Sequence, residues 1–516
     1  MGRWHDVAVV GSGHNALVCA CYLQRAGHRV SVFERSAQVG GAVCTEELHP
    51  GFRYDVGSSV HVLIHATPVV RELELHRFGL EYLDVDPWAY FPNPDGPHLA
   101  FYRDLERTCA SIAGVSAEDA EAYRRFVRDW EPLSEAVFAA FQDVPGPLRL
   151  ARRLVGVSGP RRPTAAGFQE ILSSYGDVVA RRFRSAPVRA ALTWLGAQSG
   201  PGPDERGSAP FVGWYAVLHR IGAKHPRGGS GMLTRALARR LESDGGTVRT
   251  GAAVTAIEVE GGRIRGLVLE GGERVSASRV VSGAHVRTTL LDLVAAEHLP
   301  PAVREEVAAA RVGNGFGMAV RCAAGALPAY RGEATGEPGD AHHGLQLLTR
   351  SADAVRSAHA EFLLGRNPSE PQVVAMTFSA IDPELAPPGK HVVYLWSQYH
   401  PYQLAGGQAW DEIREQAADD ICEQLYRFAP NMRGNLLHRH IQSPLDLERR
   451  FGLLRGNVMH LDMSLDQMFG LRPTPSLSRY RTPVEGLYLT GASTHPGGGV
   501  FGASGYTAAR VMLRDG

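Results

Sequence analysis

Gly11, Gly13 and Ala16 stand in the spacing G-x-G-x-x-A, and an acid, Glu34, follows Gly11 by 23 residues. Residues of these types at these intervals suit one task, gripping a diphosphate and the sugar beside it. Gly11 permits a tight turn, and Gly13 leaves the backbone bare where a phosphate must come close. Ala16 keeps the following helix near its sheet, and the helix N-terminus turns its positive end toward the phosphate charge. Ser12 and Asn15 complete the loop, and the Glu34 carboxylate can accept hydrogen bonds from a ribose.

Three elements must hold these residues in place. Asp6-Val7-Ala8-Val9-Val10 is a β-branched apolar run suited to a buried parallel strand. A helical stretch follows, with Ala16, Leu17, Ala20 and Leu23 apolar, and stops at Gly27. A second strand, Val30 to Phe33, leads directly into Glu34. The order strand, glycine loop, helix, strand, acid is that of a dinucleotide-binding unit. Arg35 and the double glycine Gly40-Gly41, followed by Ala42, extend it with more bare backbone near the same phosphates.

This extended E-x5-G-G pattern resembles the FAD signature of flavoproteins of the glutathione-reductase type, which implies FAD as the cofactor. Gly51-Phe52-Arg53-Tyr54-Asp55-Val56-Gly57-Ser58-Ser59-Val60-His61 comes next. It resembles the G-F-x-(F/Y)-D-x-G motif that leads toward the flavin ring in phytoene-desaturase-like FAD-dependent oxidoreductases. A later block, His225-Pro226-Arg227-Gly228-Gly229-Ser230-Gly231-Met232, precedes an amphipathic helix with Leu233, Leu237 and Leu241 in register. Short strands at Thr247–Arg249, Ala253–Glu258 and Ile264–Leu269 and a run at 279–284 follow. The resemblance makes this the returning FAD segment, with Val254 offering backbone to the adenine.

Near the C-terminus, Gly486–Thr490 reads as a strand, 491–502 as a glycine-rich turn and Ala503–Leu513 as a helix. Gly497, Gly499 and Gly502 repeat G-x-G-x-x-G, but the chain ends too soon for a second ribose acid. A helix N-terminus aimed at a group that becomes negative, as reduced flavin does, is the better physical reading. The run Gly491-Ala492-Ser493-Thr494-His495-Pro496-Gly497-Gly498-Gly499 resembles the closing motif of bacterial carotenoid desaturases. The longer context, from Gly456-Asn457-Val458 to Arg472-Pro473, is closer to the phytoene-dehydrogenase-related branch called "pyridine nucleotide-disulfide oxidoreductase domain-containing protein 2". The resemblance implies flavin contacts from Gly491, Gly498, Gly499, Val500 and Phe501, beside Gly57 and Ser58. Two positions depart from it: Ala42 stands where many relatives carry Arg, and Ala492 where amine oxidases carry an acid.

The expected fold is α/β, a glutathione-reductase-type Rossmann FAD domain with a discontinuous α+β substrate domain. Residues 1–75, 223–290 and 456–516 make the FAD-binding segments, and 76–222 and 291–455 the substrate segments. The latter carry helical patterns such as Glu118–Phe141 and aromatic or histidine candidates for a substrate cavity: Trp214, Tyr215, His219, Trp396, Tyr399, His400 and Tyr402. His61 and His495 are the candidate proton-handling catalytic residues, since each sits inside a motif expected near the flavin. His342-His343 and His438-Arg439-His440 lack the i, i+4 spacing of a metal site and read as loop histidines, so no metal is expected.

Composition removes other classes. Lys plus Arg and Asp plus Glu both number 54, so no basic field invites nucleic acid. Every cation but Lys224 and Lys390 is arginine, a skew typical of a GC-rich, bacterial coding sequence. The six cysteines form no C-x-x-C pair, and Cys19 and Cys21 read as core fillers. No leader and no span of 18 apolar residues is visible, which makes a cytoplasmic setting the expectation. The stretch Leu148–Val155 with Arg161-Arg162 offers an edge for peripheral membrane contact. Pro160 and Pro163 break it, and a solvated helix edge is the simpler reading.

The expected function is an FAD-dependent dehydrogenase, desaturase or oxidase passing hydride from a carbon–carbon or carbon–nitrogen bond of a fairly apolar small molecule to flavin N5. Without a nicotinamide domain, oxygen or a quinone is the expected electron acceptor. A redox-neutral flavin-dependent isomerase or cyclase, and a flavin-binding regulatory protein, are the alternatives.

Overall fold

The computed structural model describes residues 5–146, 152–153, 165–332 and 337–516. Most of the basic stretch at 148–162 therefore lies outside the described residues; Arg152 and Arg153 alone are placed, both exposed.

His5–Val10 forms a strand, buried from Val7 onward, flanked by parallel strands at Val30–Phe33 and Arg274–Ser282. Thr247–Arg249 extends the sheet on one side and Leu487–Leu489 on the other, both parallel. Arg274–Ser282 is long enough to serve twice. Its first residues close an antiparallel meander with Val254–Glu260 and Arg263–Leu269, and its last residues sit inside the parallel sheet. Residues distant in sequence thus complete a single seven-stranded sheet.

Three helices cover one face: His14–Arg25, Gly231–Ser243 and Ala503–Arg514. Their apolar sides, with Leu17, Val18, Leu233, Leu237 and Val511, pack into one core. Small residues set the spacing. A Cβ on Gly283, at the end of the central strand, would lie 2.8 Å from the Ala16 Cβ, so the loop and the strand end meet at van der Waals limits. Cys19 and Cys21 are buried in this core, as expected of fillers.

A second seven-stranded sheet runs Leu436–Gln442, Gly315–Ala324, His391–Pro401, Val373–Met376, Leu345–Leu348, Ala89–Phe91 and Leu99–Phe101. It is antiparallel except where Leu345–Leu348 meets Ala89–Phe91. Helix Trp410–Phe428 packs Ile421 and Leu425 on one face against Val320 and Leu395. Helices Ala117–Ala140 and Ala186–Ala197 build the core on the other. A short antiparallel pair, Tyr82–Val85 with Ala223–Pro226, ties the two halves together.

The histidines read as loop residues lie elsewhere. His342 and His343 belong to a helical turn, Asp340–His343, and His438 and His440 alternate along an edge strand. Among the described residues no cluster of His, Cys, Asp or Glu suits a metal, and no helix is long and apolar enough to cross a membrane.

Candidate functional site

A cavity of about 790 Å³, within the range typical of small-molecule sites, runs between the two sheets. Its wall begins at the N-terminal loop. Gly11, Ser12, Gly13, Asn15 and Ala16 line it, and an added Cβ on Gly11 or Gly13 would meet no protein atom within 4 Å. The bare backbone therefore faces open space. Helix His14–Arg25 has no side-chain cap, which leaves its first-turn N–H groups to the cavity.

Glu34 and Arg35 line the same end, with Gly40, Gly41, Ala42 and Val254. The Glu34 carboxylate is buried and aimed. Its Oε2 accepts from the Ser12 amide at 2.8 Å and the Ser12 hydroxyl at 2.7 Å, and Oε1 accepts from the Ser36 amide at 2.8 Å. Ser12 Oγ also receives the Gly40 amide at 3.1 Å, which joins the double glycine to the first loop. Gly40 has φ +124°, and a Cβ there would lie 2.4 Å from the Val43 carbonyl oxygen.

Gly57 and Ser58 continue the wall. A Cβ on Gly57 would lie 2.0 Å from the Ala42 carbonyl oxygen, so glycine alone lets these segments run side by side. From the far end of the chain come Gly491, Ala492, Gly499 and Val500, just before helix Ala503–Arg514, which also lacks a side-chain cap.

The opposite wall comes from the second sheet and the loop after it: Phe316, Leu345, Val374, Met376, Tyr394 and Trp396, then Val458 and Met459. Among the described lining residues the only carboxylates are Glu34 and Glu448, and Glu448 is engaged by the Tyr402 hydroxyl and the Arg455 amide. Arg321 supplies a fully buried cation there. It donates to the Asp55 carbonyl and to Gln442, and its guanidinium carbon lies 4.3 Å from the Tyr394 ring centroid.

Histidine 14, His285 and His460 also line the cavity. Burial holds His14 and His285 down to about 4 and His460 well below the usual imidazole value, so all three are neutral near pH 7. His14 is a variable position of the glycine loop and His460 lies between Gly456 and Arg472, but no motif marks His285, Arg321 or Tyr394. Only the fold brings them to the site.

Four expected site residues are corrected. His61 does not line the cavity: it is fully buried, with its ring nitrogens on the Ser230 hydroxyl and the Tyr82 phenol. His495 is buried against Phe141 and Phe469, its Nε2 3.3 Å from the Ala140 carbonyl. Both sit in motifs that border the cavity, but neither side chain lines it. Phe501 packs on Phe138 and Phe141. Gly498 lies behind the wall, where a Cβ would come 2.3 Å from the Met459 sulfur.

Of the proposed cavity aromatics and histidines, Trp396 alone is on the wall. Trp214 stacks on Tyr215, which also stacks on Trp88. His219 meets the Tyr123 phenol and the Arg103 carbonyl, and Tyr399 donates to the Pro201 carbonyl. His400 is held by Ser397 and Asn367, and Tyr402 donates to Glu448.

The glycine cradle with open space before it, the aimed carboxylate and the two uncapped helix ends fit a long dinucleotide with a ring at its inner end. Comparison with known proteins decides which. The family model for flavin containing amine oxidoreductases matches residues 17–513. The chain belongs to that family. It is an FAD-dependent oxidoreductase.

Relatives of this flavin oxidoreductase span its whole length. "Pyridine nucleotide-disulfide oxidoreductase domain-containing protein 2" of Rattus norvegicus is 34% identical, over 99% of this chain and 94% of the relative. A lycopene-forming phytoene desaturase of Pantoea ananas is 26% identical, over 98% and 99%. The resemblance drawn from the motifs is thereby borne out. An oxidoreductase of Methanosarcina mazei, 17% identical over 98% of this chain and 99% of its own, shares the fold at a TM-score of 0.65.

Proposed function

We propose that this oxidoreductase removes two electrons and two hydrogens from a carbon–carbon or carbon–nitrogen bond of a fairly apolar small molecule. The observation that carries the reading is the division of the cavity. One end is glycine backbone and polar groups, and the other is Phe316, Leu345, Val374, Met376 and Trp396. An amine cation entering that apolar end would find no free carboxylate among the described lining residues, which favours a neutral substrate. The relation to a phytoene desaturase, named for an apolar hydrocarbon, points the same way.

In this reading Gly11, Ser12, Gly13, Asn15 and Ala16 hold the diphosphate of FAD, and Glu34 and Arg35 its adenosine ribose. Val254 meets the adenine through its backbone. Gly40, Gly41, Ala42, Gly57 and Ser58 run along the cofactor toward its ring, and Gly491, Gly499 and Val500 meet the pyrimidine edge. Bound FAD supplies the electron sink. The chain orients the substrate against it and excludes water with the apolar wall, while the uncapped end of helix Ala503–Arg514 favours negative charge at the ring. The division into FAD segments 1–75, 223–290 and 456–516 and substrate segments 76–222 and 291–455 belongs to the same proposal. So do a cytoplasmic setting and oxygen or a quinone as acceptor.

The test is the visible spectrum of the purified protein, followed by anaerobic addition of candidate apolar substrates. Bleaching of the flavin band is expected. Turnover with the band unbleached would assign a redox-neutral isomerase or cyclase instead.

A further inference from the structure

Ser58 on the cavity wall is the first of four side chains that form an unbroken hydrogen-bonded line. Its hydroxyl lies 2.8 Å from that of Ser230, the Ser230 hydroxyl 2.8 Å from His61 Nε2, and His61 Nδ1 2.9 Å from the Tyr82 phenol. Ser230 and His61 are fully buried, whereas Tyr82 is only half-buried, in the strand pair at the seam of the two halves. Each member is able both to donate and to accept, and no carbonyl or carboxylate interrupts the line.

From this geometry we infer that Ser58, Ser230, His61 and Tyr82 are a proton relay between the flavin cavity and the protein surface. The inference rests on reading the cavity as the redox site. Oxidation of the substrate sends one hydrogen with both electrons to the cofactor and frees the other as a proton. Ser58 Oγ accepts that proton and passes its own to Ser230, which passes one to His61 Nε2. His61 hands its Nδ1 proton to Tyr82, and Tyr82 gives one to water. One proton enters and one leaves, and the imidazole ends as its other tautomer. The reduction of oxygen or a quinone consumes a proton, so the line runs inward in that half-reaction and returns to its starting orientation.

The imidazole must stay neutral to relay rather than trap a proton. Burial, with His225, His65 and His14 as its cationic neighbours when they are protonated, holds His61 well below the usual imidazole value. Asp55 and Arg321 also flank the segment. Asp55 accepts from the Ser230 amide and Arg321 donates to the Asp55 carbonyl, so both are engaged outside the relay's side-chain hydrogen bonds.

The test uses the holoenzyme and reduced methyl viologen, a donor of electrons without protons, so that any proton gained by the flavin comes from water. Stopped-flow mixing follows flavin bleaching and, through an indicator dye, proton uptake. In the wild type the two keep pace. In His61→Gln, which keeps hydrogen-bonding groups but has no second tautomer, and in Tyr82→Phe, proton uptake is expected to lag tenfold or more. FAD affinity should be unchanged in both. Uptake that keeps pace with bleaching in either variant while FAD is bound would overturn the relay. A wild type that carries no flavin colour before mixing fails the functional reading itself, and the relay falls with it.

Discussion

Asn15 and Gly505, 490 positions apart, meet where the first and last helices cross. The Gly505 amide points at Asn15 Oδ1, 3.4 Å away, and a Cβ on Gly505 would lie 2.0 Å from the Asn15 carbonyl oxygen. The crossing is set by backbone against backbone, so it has no flexible side chain to absorb a change. Gly505→Ala is expected to push the two helix ends apart, lowering stability by about 1–3 kcal/mol and weakening FAD retention. Thermal melting and flavin release on gel filtration would show it; an unaltered melt would mean the crossing tolerates slack.

Gly13 makes the contrasting case. It has φ −59°, open to any residue, and its Cβ would enter the cavity without touching protein. Gly13→Ala should therefore melt like the wild-type apoprotein yet bind FAD at least tenfold more weakly, read by flavin fluorescence titration. A variant that binds normally would displace the diphosphate from this loop.

Glu34 is buried with both oxygens already aimed by Ser12 and Ser36. Replacing it with Gln exchanges charge-assisted bonds for neutral ones and turns an NH2 toward amide donors. A charged hydrogen bond contributes about 1.5–3 kcal/mol. FAD affinity should fall roughly ten- to a hundredfold on that scale, by isothermal titration of the apoprotein. No change in affinity would assign the ribose to another residue.

Arg472 is fully buried and, among the described residues, has no carboxylate hydrogen-bond partner. It donates to the carbonyls of Met459, Leu461, Asp462, Gln467 and Ala492. Burial pulls its guanidinium down to about 9. Arg472→Met strands those carbonyls at the back of the cavity wall, and a loss of about 3 kcal/mol or more is expected in denaturant unfolding. Wild-type stability in this variant would count against the arginine as the pin of the 459–467 loop.

Acid should unfold the protein through its histidines. Burial depresses His14, His285 and His495 to about 4 in the fold, against 6.5 unfolded. The unfolded chain then binds more protons between those values, so stability is full above about pH 6.5 and falls as the pH drops toward 4. Each contributes on the order of 3 kcal/mol to that fall. The denaturation midpoint as a function of pH measures it. His495→Gln should flatten the slope, and an unchanged slope would remove His495 from the set.

The cofactor end of the site was legible because its chemistry is local. Glycines, a helix start and an acid fall within one short stretch, where spacing translates directly into geometry. The other wall was not. Every residue of Gly315–Ala324 is buried, so nothing in that run distinguishes Phe316 and Arg321, which face the cavity, from Met318, which faces a helix. Sheet register decides it, and register depends on partners far away in the chain. His61 and His495 fall outside the cavity lining for a related reason. A motif fixes where the backbone passes, and a side chain there has two faces to choose from.

The glycine loop leaves the ribosome long before strand Leu487–Leu489 and helix Ala503–Arg514, which complete the site that it opens. Capture of the flavin must therefore wait until these distant segments have been made. A transcript cut short before the codon for Leu487 would yield a colourless polypeptide, with its newborn phosphate loop exposed to chaperones and proteases.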